Sequence, residues 1–203
     1  MTASPETSDR IAELLVHLGR AARCESGGSD LTAAQWTCLR FFARANGSTR
    51  TPSGFASFQA TTRGTASQIV KSLESRGLVV RTRSDRDGRS VRFDLTGAGH
   101  AMLRRDPLRD MIGVIGRLDA DDRVRFLATL SRLVSGLADR RAAPTFGTCR
   151  DCSHFAPQRD GGYCACMAAE LVPDEIDRLC AVFAPASTPK TAPQTEGQQD
   201  AST

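Results

Sequence analysis

The sequence predicts a mainly helical α+β fold that carries one small β-hairpin and continues into a short cysteine-rich segment. Three observations predict it. Apolar residues recur at helical spacing before residue 77 and after residue 97. Between these regions the spacing changes to alternation on both sides of Asp87-Gly88, a pair typical of tight hairpin turns. Five of the seven cysteines then fall within residues 149–180.

The composition is that of a globular protein. The 203 residues are 40% hydrophobic and 25% charged, and no apolar run approaches the roughly 20 residues of a membrane helix. The first residues lack the basic start and apolar core of a secretory signal. We therefore expect a cytoplasmic protein. That compartment is reducing, so clustered cysteines are expected to be metal ligands or redox thiols rather than disulfides.

The charge is unevenly distributed along the chain. The net charge is +4, but residues 1–143 carry 23 Lys and Arg against 15 Asp and Glu, whereas residues 144–203 carry 4 against 8. The basic excess peaks between Arg63 and Arg92, with eight basic residues and three acidic ones. Such an excess on one face would form a binding surface for a polyanion.

Four helices are expected before the hairpin. The first covers residues 9–24, and the second follows Thr32, which forms a capping box with Gln35. The third starts at Pro52 and the fourth follows Thr62. The last two are short, are joined by a tight turn, and leave polar residues on a free face, which is the pattern of a helix-turn-helix. With the hairpin directly after it, the arrangement is a winged helix-turn-helix.

Two long helices are expected after the hairpin. Residues 98–118 form an apolar-periodic stretch, interpreted as one helix that Pro107 kinks. Asp119 caps the next helix. Together with the first helix, these two present more apolar surface than a single small module needs, which predicts a homodimer.

The sequence divides into three regions. Residues 1–143 are expected to form the DNA-binding and dimerisation domain, and residues 144–184 a mini-domain stapled by a metal. Residues 185–203 are rich in Pro, Ala, Ser, Thr and Gln, so a disordered tail is expected there.

Two stretches resemble the multiple-antibiotic-resistance regulator (MarR) family of bacterial transcription factors. They are GTASQIVKSLESRGLVVR at 64–81 and DGRSVRFDLTGAG at 87–99, and the likeness extends over residues 8–140. It implies a homodimeric repressor, not an enzyme, that binds double-stranded DNA at a palindromic operator with half-sites about 34–36 Å apart. By the same resemblance, a small aromatic effector would bind in a crevice between the dimerisation and DNA-binding regions. Candidate lining residues, for which a core position is the plainer expectation, are Trp36, Phe41 and His17.

The DNA-reading residues are expected on the fourth helix and at the tip of the hairpin. The major groove admits one α-helix, and polar side chains on it read base edges. The expected contacts from the helix are Thr62, Arg63, Thr65, Ser67, Gln68 and Lys71, and those from the hairpin are Arg86 and Arg89. Gln68 fits adenine, Arg63 fits guanine or a phosphate, and the hairpin arginines suit the minor groove.

The cysteine spacing predicts a metal centre. The pattern is Cys149-x2-Cys152-x11-Cys164-x-Cys166-x13-Cys180, in a segment of roughly 35 residues that is too short and too polar to fold without a metal or disulfides. Three of these cysteines belong to any ligand set, whereas Cys164 and Cys166 compete for the remaining place or share it. His154 is a weaker alternative ligand.

The identity of the metal is left open between two chemistries. Four thiolates suit an iron–sulfur cluster or a closed zinc site. With Cys166 as the third ligand, the C-x2-C-x13-C-x13-C pattern resembles high-potential iron–sulfur proteins and small cluster-binding subunits of some glycyl-radical enzymes. This resemblance favours iron–sulfur, with 4Fe–4S as the expected form.

The functional hypothesis is a DNA-binding repressor whose affinity is modulated by an iron–sulfur cluster that senses redox state, iron or small oxidants. One alternative is a regulator that responds to an aromatic ligand and has a purely structural zinc site. Others are an iron–sulfur electron carrier and a metal-free thiol switch formed by Cys164 and Cys166.

Overall fold

A computed structural model describes residues 5–22, 31–83 and 91–186. Cys24, the hairpin-tip residues Arg86 and Arg89, and positions 187–203 of the expected tail lie outside the described residues. Within the described ranges the chain is mainly helical and carries a small antiparallel hairpin, which confirms the predicted fold class.

The first part of the chain contains seven helices and the hairpin in the described ranges. In chain order they are α1 Pro5–Ala21, α2 Ala33–Arg44, α3 Pro52–Gln59, α4 Arg63–Ser75, β1 Val79–Arg83, β2 Val91–Leu95, α5 Gly97–Leu103, α6 Leu108–Gly116 and α7 Ala120–Arg141. β1 and β2 pair antiparallel.

The cysteine-rich segment has its own short elements. They are a 3-10 turn at Cys149–Asp151, β3 Phe155–Gln158, β4 Gly161–Cys164, β5 Ala169–Leu171 and α8 Pro173–Ile176. The three strands form an antiparallel sheet in the order β3-β4-β5.

Side-chain caps begin the helices where the sequence predicts them. Thr32 and Gln35 form the capping box of α2. Thr62 accepts a hydrogen bond from the Thr65 amide at the start of α4, and Asp119 caps α7 in the same way. Each cap satisfies an amide that has no partner within its helix, which stabilises the helix by about 1 kcal/mol.

The core is an aromatic cluster centred on α2. Phe41 and Phe42 of α2 contact Phe55 of α3 with ring centroids 5.6 and 6.4 Å away, and Phe42 lies 5.8 Å from Phe93 of β2. Around these rings pack further buried apolar side chains: Leu31, Trp36, Leu39, Ala66, Val70, Leu73, Leu78 and Val79. The helix-turn-helix and the hairpin therefore share one core.

The single helix expected over residues 98–118 is wrong, since the structure has two helices with a break at residues 104–107. Pro107 has no amide hydrogen to continue the first helix. Asp106 is buried in the break, where it accepts hydrogen bonds from Arg40 Nη1 at 2.7 Å and from the Leu108 amide at 2.8 Å. The buried carboxylate therefore fixes the direction of α6.

The expected surplus of apolar surface is present on α1, α6 and α7. In this single chain the exposed large apolar residues of these helices include Ile11, Leu14, Val16, Leu18, Ile112, Val114, Val124, Leu127, Val134 and Leu137. Among the described residues, no helix has the length and apolar character needed to span a membrane.

The cysteine-rich segment packs on the winged helix rather than projecting from it. Phe146 and Leu179 pack against the common core. The ring of Phe146 meets that of Phe58 at 5.3 Å, and this contact covers part of Phe58, which is 39% exposed. The boundary at residues 143 and 144 stays a prediction, because side chains from both sides share one apolar cluster.

Replacing Asp106 with alanine is expected to lower the free energy of unfolding by about 3 kcal/mol, because it leaves Arg40 without its buried partner and the Leu108 amide without an acceptor. Urea unfolding at one protein concentration measures the effect. The control is Asp122→Ala, which removes an exposed pair with Arg125 and is expected to leave the midpoint nearly unchanged. Equal midpoints for the two variants would contradict the structural role of Asp106.

Candidate nucleic-acid interface and cysteine site

The free face of α4 carries the predicted DNA-reading side chains. Ala66, Val70 and Leu73 point into the core, with no more than 1% of each exposed. On the other side, the structure places Thr62, Arg63, Thr65, Gln68 and Lys71 in exposed positions and Ser67 in a half-buried one. The six predicted residues therefore lie at the N-cap and along the first nine residues of one helix, where they are available to a ligand.

The α4 helix is held firmly to the hairpin. Gly77 has φ +67°, a backbone conformation that suits glycine, and its carbonyl accepts a hydrogen bond from Thr96 Oγ1 at 2.6 Å. At Gly99 a Cβ would lie 2.1 Å from the Leu78 carbonyl oxygen, so no larger residue fits there. The hairpin therefore keeps a defined position relative to α4.

The described stem of the hairpin adds positive charge beside α4. Arg81 and Arg83 are exposed on β1, whereas Arg92 on β2 pairs with Asp94 at 3.2 Å. Between residues 63 and 83 the sequence has five basic residues and one acidic residue, Glu74. The surface formed by α4 and β1 is therefore basic, as a phosphate backbone requires.

The structure does not bring the candidate crevice residues together. Trp36 and Phe41 are core residues, with 4% and 2% exposed, whereas His17 is exposed on α1. An apolar cavity of about 480 Å³ does lie among α1, α2, α6 and α7. Its lining includes Leu15, Leu18, Met111, Ile115 and Phe126, residues that the sequence analysis did not single out for a ligand.

Four of the five clustered cysteines share one neighbourhood. Cys149, Cys164 and Cys180 are buried and Cys152 is half-buried, whereas Cys166 is exposed. The exposed thiol belongs to the turn after β4, beyond the last residue of that strand. The structure therefore separates Cys164 from Cys166, which the sequence left as competitors.

Backbone hydrogen bonds place the four cysteines. The Cys152 amide donates to the Cys149 carbonyl at 3.1 Å, which closes the tight turn of the C-x-x-C pair. Cys164 lies opposite Phe155 in the β3–β4 ladder. The Cys180 amide donates to the Gly147 carbonyl at 2.9 Å. Residues adjacent to the C-x-x-C pair therefore hold both of the later cysteines.

Burial and the neighbouring cysteines both affect the pKa of Cys149. Burial, followed by the electrostatic effects of Cys180, Cys164 and Cys152 in that order, raises the pKa of Cys149 to about 11. Without a cation, Cys149 is therefore a protonated thiol at neutral pH. By contrast, burial alone raises the pKa of Cys38, which agrees with its predicted place in the core.

A salt bridge closes the outer side of this site. Arg150, between the first two cysteines, donates to both carboxylate oxygens of Asp177, with Nη2 to Oδ2 at 3.0 Å. These hydrogen bonds lower the pKa of Asp177. His154 is half-buried, and its carbonyl accepts from the Ala165 amide at 2.9 Å.

The buried and half-buried cysteines do not form a finished metal site. Across residues 5–22, 31–83 and 91–186, no three histidine, cysteine or acidic side chains stand ready to hold a metal ion. The four neighbouring thiols would therefore have to move together to bind one. Soft thiolates of this kind suit zinc and iron–sulfur clusters.

Comparison with known proteins supports the DNA-reading half of this description. Residues 29–90 match the MarR family. A MarR family protein from Bacillus stearothermophilus is 18% identical, with a TM-score of 0.50 over 68% of this chain and 99% of that one. No curated protein matches the chain.

Two further solved structures have TM-scores below 0.5. FabT of Streptococcus pneumoniae, in complex with DNA, is 22% identical, with a TM-score of 0.49 over 65% of this chain and 98% of that one. A MarR family protein of Mycobacterium tuberculosis, in complex with salicylic acid, is 27% identical, with a TM-score of 0.43 over 60% and 94%.

The matched residues span α2, α3, α4 and the first strand of the hairpin, which are the elements that carry and support the exposed polar face. The predicted resemblance is confirmed for this region: residues 29–90 match the MarR family, and β2, the strand that completes the winged helix, follows directly after them.

Proposed function

We propose that this protein is a sequence-specific DNA-binding transcriptional regulator, a cytoplasmic homodimeric repressor rather than an enzyme. One observation carries the proposal. The exposed side of α4 presents polar and basic side chains from a helix that the core and the hairpin hold in place. A rigid helix of this kind fits the major groove, where its N-terminal residues meet base edges.

Each predicted contact has a separate role in this proposal. Gln68 pairs with an adenine and Arg63 with a guanine or a phosphate, while Lys71 neutralises a phosphate. Arg86 and Arg89, at the tip of the hairpin, enter the neighbouring minor groove. The short hydroxyl side chains Thr62, Thr65 and Ser67 complete the contact with the operator.

The apolar faces of α1, α6 and α7 support a dimer. Many exposed apolar side chains on neighbouring helices are typical of a protein interface. A two-fold dimer would present two α4 helices to a palindromic operator, with half-sites about one helical turn, or 34–36 Å, apart.

We further propose that Cys149, Cys152, Cys164 and Cys180 bind an iron–sulfur cluster that modulates DNA affinity, with zinc as the alternative metal. Burial and mutual proximity support this ligand set and leave exposed Cys166 outside it. The spacing then becomes C-x2-C-x11-C-x15-C, which departs from the iron–sulfur pattern based on Cys166. The choice of iron over zinc therefore rests on an experiment.

The second candidate function is a regulator that responds to a small aromatic ligand and contains a purely structural zinc site. The apolar cavity among α1, α2, α6 and α7 favours it, because small-molecule sites are concave and mostly apolar.

Replacing Gln68 with alanine is expected to weaken operator binding by about 1–3 kcal/mol with little effect on random DNA, because the amide reads a base. Lys71→Ala is expected to weaken binding to operator DNA and to random DNA alike. It should also reduce the salt dependence of binding by about one released counterion. Fluorescence anisotropy over a salt series measures both effects. Arg159→Ala removes an equal charge from the cysteine-rich segment and serves as the control; an equal loss in that variant would contradict a contact by Lys71.

Replacing Cys149 or Cys152 with serine is expected to abolish metal binding, whereas Cys166→Ser is expected to retain it, because Cys149 and Cys152 belong to the proposed set of four ligands and exposed Cys166 does not. Metal and sulfide analysis of protein purified without oxygen measures this, and a visible spectrum separates a coloured cluster from colourless zinc. Loss of metal in Cys166→Ser but not in Cys164→Ser would reverse the assigned ligand set.

Replacing Leu127 with arginine is expected to convert the dimer to a monomer and to weaken operator binding by at least about tenfold, because a charge would enter the apolar interface. Light scattering after gel filtration gives the mass. Thr129→Arg adds the same charge on the opposite side of α7 and should leave the dimer intact. Unchanged mass in both variants would place the interface elsewhere.

A further inference from the structure

One loop joins the cysteine-rich segment to the DNA-reading domain. We call residues 45–51, between α2 and α3, the junction loop. Leu179 pairs with the last residue of α2 and with the start of this loop: the Leu179 amide donates to the Arg44 carbonyl at 2.8 Å, and the Leu179 carbonyl accepts from the Asn46 amide at 2.9 Å. The chain after α8 thus lies along the end of α2 as a short parallel bridge.

Cys180 is placed between two residues that bind this loop. On one side is Leu179, and on the other is Ala181, whose amide donates to Thr49 Oγ1 at 2.9 Å. The Thr49 side chain is buried, with 2% exposed. The amide of Cys180 itself points the other way, to Gly147 near the C-x-x-C pair. Whatever fixes Cys180 therefore also fixes two contacts to the junction loop.

The same loop holds strand β2 of the hairpin. The Arg50 carbonyl accepts from the Phe93 amide at 2.8 Å, and Arg50 Nη1 contacts Asp94 Oδ1 at 2.5 Å. From the other side, Glu175 Oε1 lies 3.6 Å from Arg50 Nη2, and Glu175 Oε2 accepts from the Gly47 amide at 2.8 Å. Arg50 is thus shared between the hairpin and the cysteine-rich segment.

The environment of Arg50 makes its guanidinium dependent on the carboxylates that contact it. The Arg50 side chain is only 18% exposed, and its buried Nε has no hydrogen-bond partner among the described residues. A cation so enclosed depends on the carboxylates beside it. One of them, Asp94, is on β2, and the other, Glu175, is on α8, five residues before Cys180.

We propose that metal binding by Cys149, Cys152, Cys164 and Cys180 holds Glu175 and residues 179–181 against the junction loop, and that loss of the metal releases β2 and weakens DNA binding. This inference rests on the proposed function and states how the metal site is coupled to operator binding. A small segment loses order when its metal leaves. A hairpin that has lost its anchor must be ordered again on binding DNA, which lowers affinity.

The experiment compares two forms of the full-length protein. One is loaded without oxygen with Zn²⁺, or with Fe²⁺ and sulfide if metal analysis finds a cluster; the other is metal-free and kept reduced. Amide hydrogen exchange of Phe93, followed by NMR, measures the anchoring of β2, and anisotropy measures operator binding. We expect the metal to slow exchange at Phe93 and to lower the operator Kd, each by about tenfold or more.

A double variant removes two contacts between the cysteine-rich segment and the junction loop without replacing a cysteine. Glu175→Gln removes the charge beside Arg50, and Thr49→Val removes the acceptor of the Ala181 amide with little change of shape. We expect this variant to bind as much metal as the wild type and to lose the metal response, with the Kd ratio falling below about threefold. Asp174→Asn neutralises an exposed neighbour on α8 and should keep the full response.

Unchanged exchange at Val70 in α4 confirms that the double variant is folded. A tenfold metal response that persists in the double variant overturns the proposal. The proposal is also overturned if metal loading leaves Phe93 exchange unchanged in the wild type. It is overturned as well if the metal-loaded wild type binds operator DNA no more tightly than the metal-free form. If neither form binds operator DNA, the proposed function fails instead, and Phe93 exchange still tests the junction.

Discussion

The packing of aromatic rings on α2 is the contact on which the rest of this molecule depends. Phe42 touches both Phe55 of α3 and Phe93 of β2, so one helix positions the helix-turn-helix and the hairpin together. Such rings bury large apolar areas and contribute more than any hydrogen bond in this region. Because the support lies behind α4, the polar face of that helix is free for a ligand.

The C-terminal end of α2 also contacts the cysteine-rich segment. Backbone bonds from Leu179 and the side chain of Glu175 reach this end and the loop after it. The segment thus takes part in the architecture of the DNA-reading domain. Under the proposed coupling, a change in the order of the segment would act directly on the base of the hairpin. This route differs from a hinge after α7, which would move whole domains.

The charged side chains are also divided between the interior and the surface. The acidic residues Asp94 and Glu175 turn inward to Arg50, while α4 and β1 keep exposed basic side chains on the surface. Pairing these acids with the half-buried Arg50 neutralises negative charge that would otherwise oppose phosphates. Asp106 does the same for Arg40 on another side of α2, where it also sets the direction of α6. Asp94, Glu175 and Asp106 therefore act as internal ties.

The sequence by itself determined the features that depend on neighbours in the chain. Helix starts followed from threonine and aspartate caps such as Thr62 and Asp119, and the hairpin from alternation around a turn pair, because each is a local interaction within a few residues. The side of α4 that faces outward followed from its period. The break at Asp106 did not follow, because the proline signalled only a kink and the partner of the carboxylate, Arg40, is 66 residues away.

Tertiary structure alone decided which cysteines meet and what they touch. Cys164 and Cys166 are equivalent in spacing arguments, and only the strand pairing that sets Cys164 opposite Phe155 buries one and exposes the other. The joining of Gly47 to Glu175 spans 128 residues of chain. No periodicity or motif records such a contact, because it exists only after the core has brought distant segments together and made their unpaired polar groups available to each other.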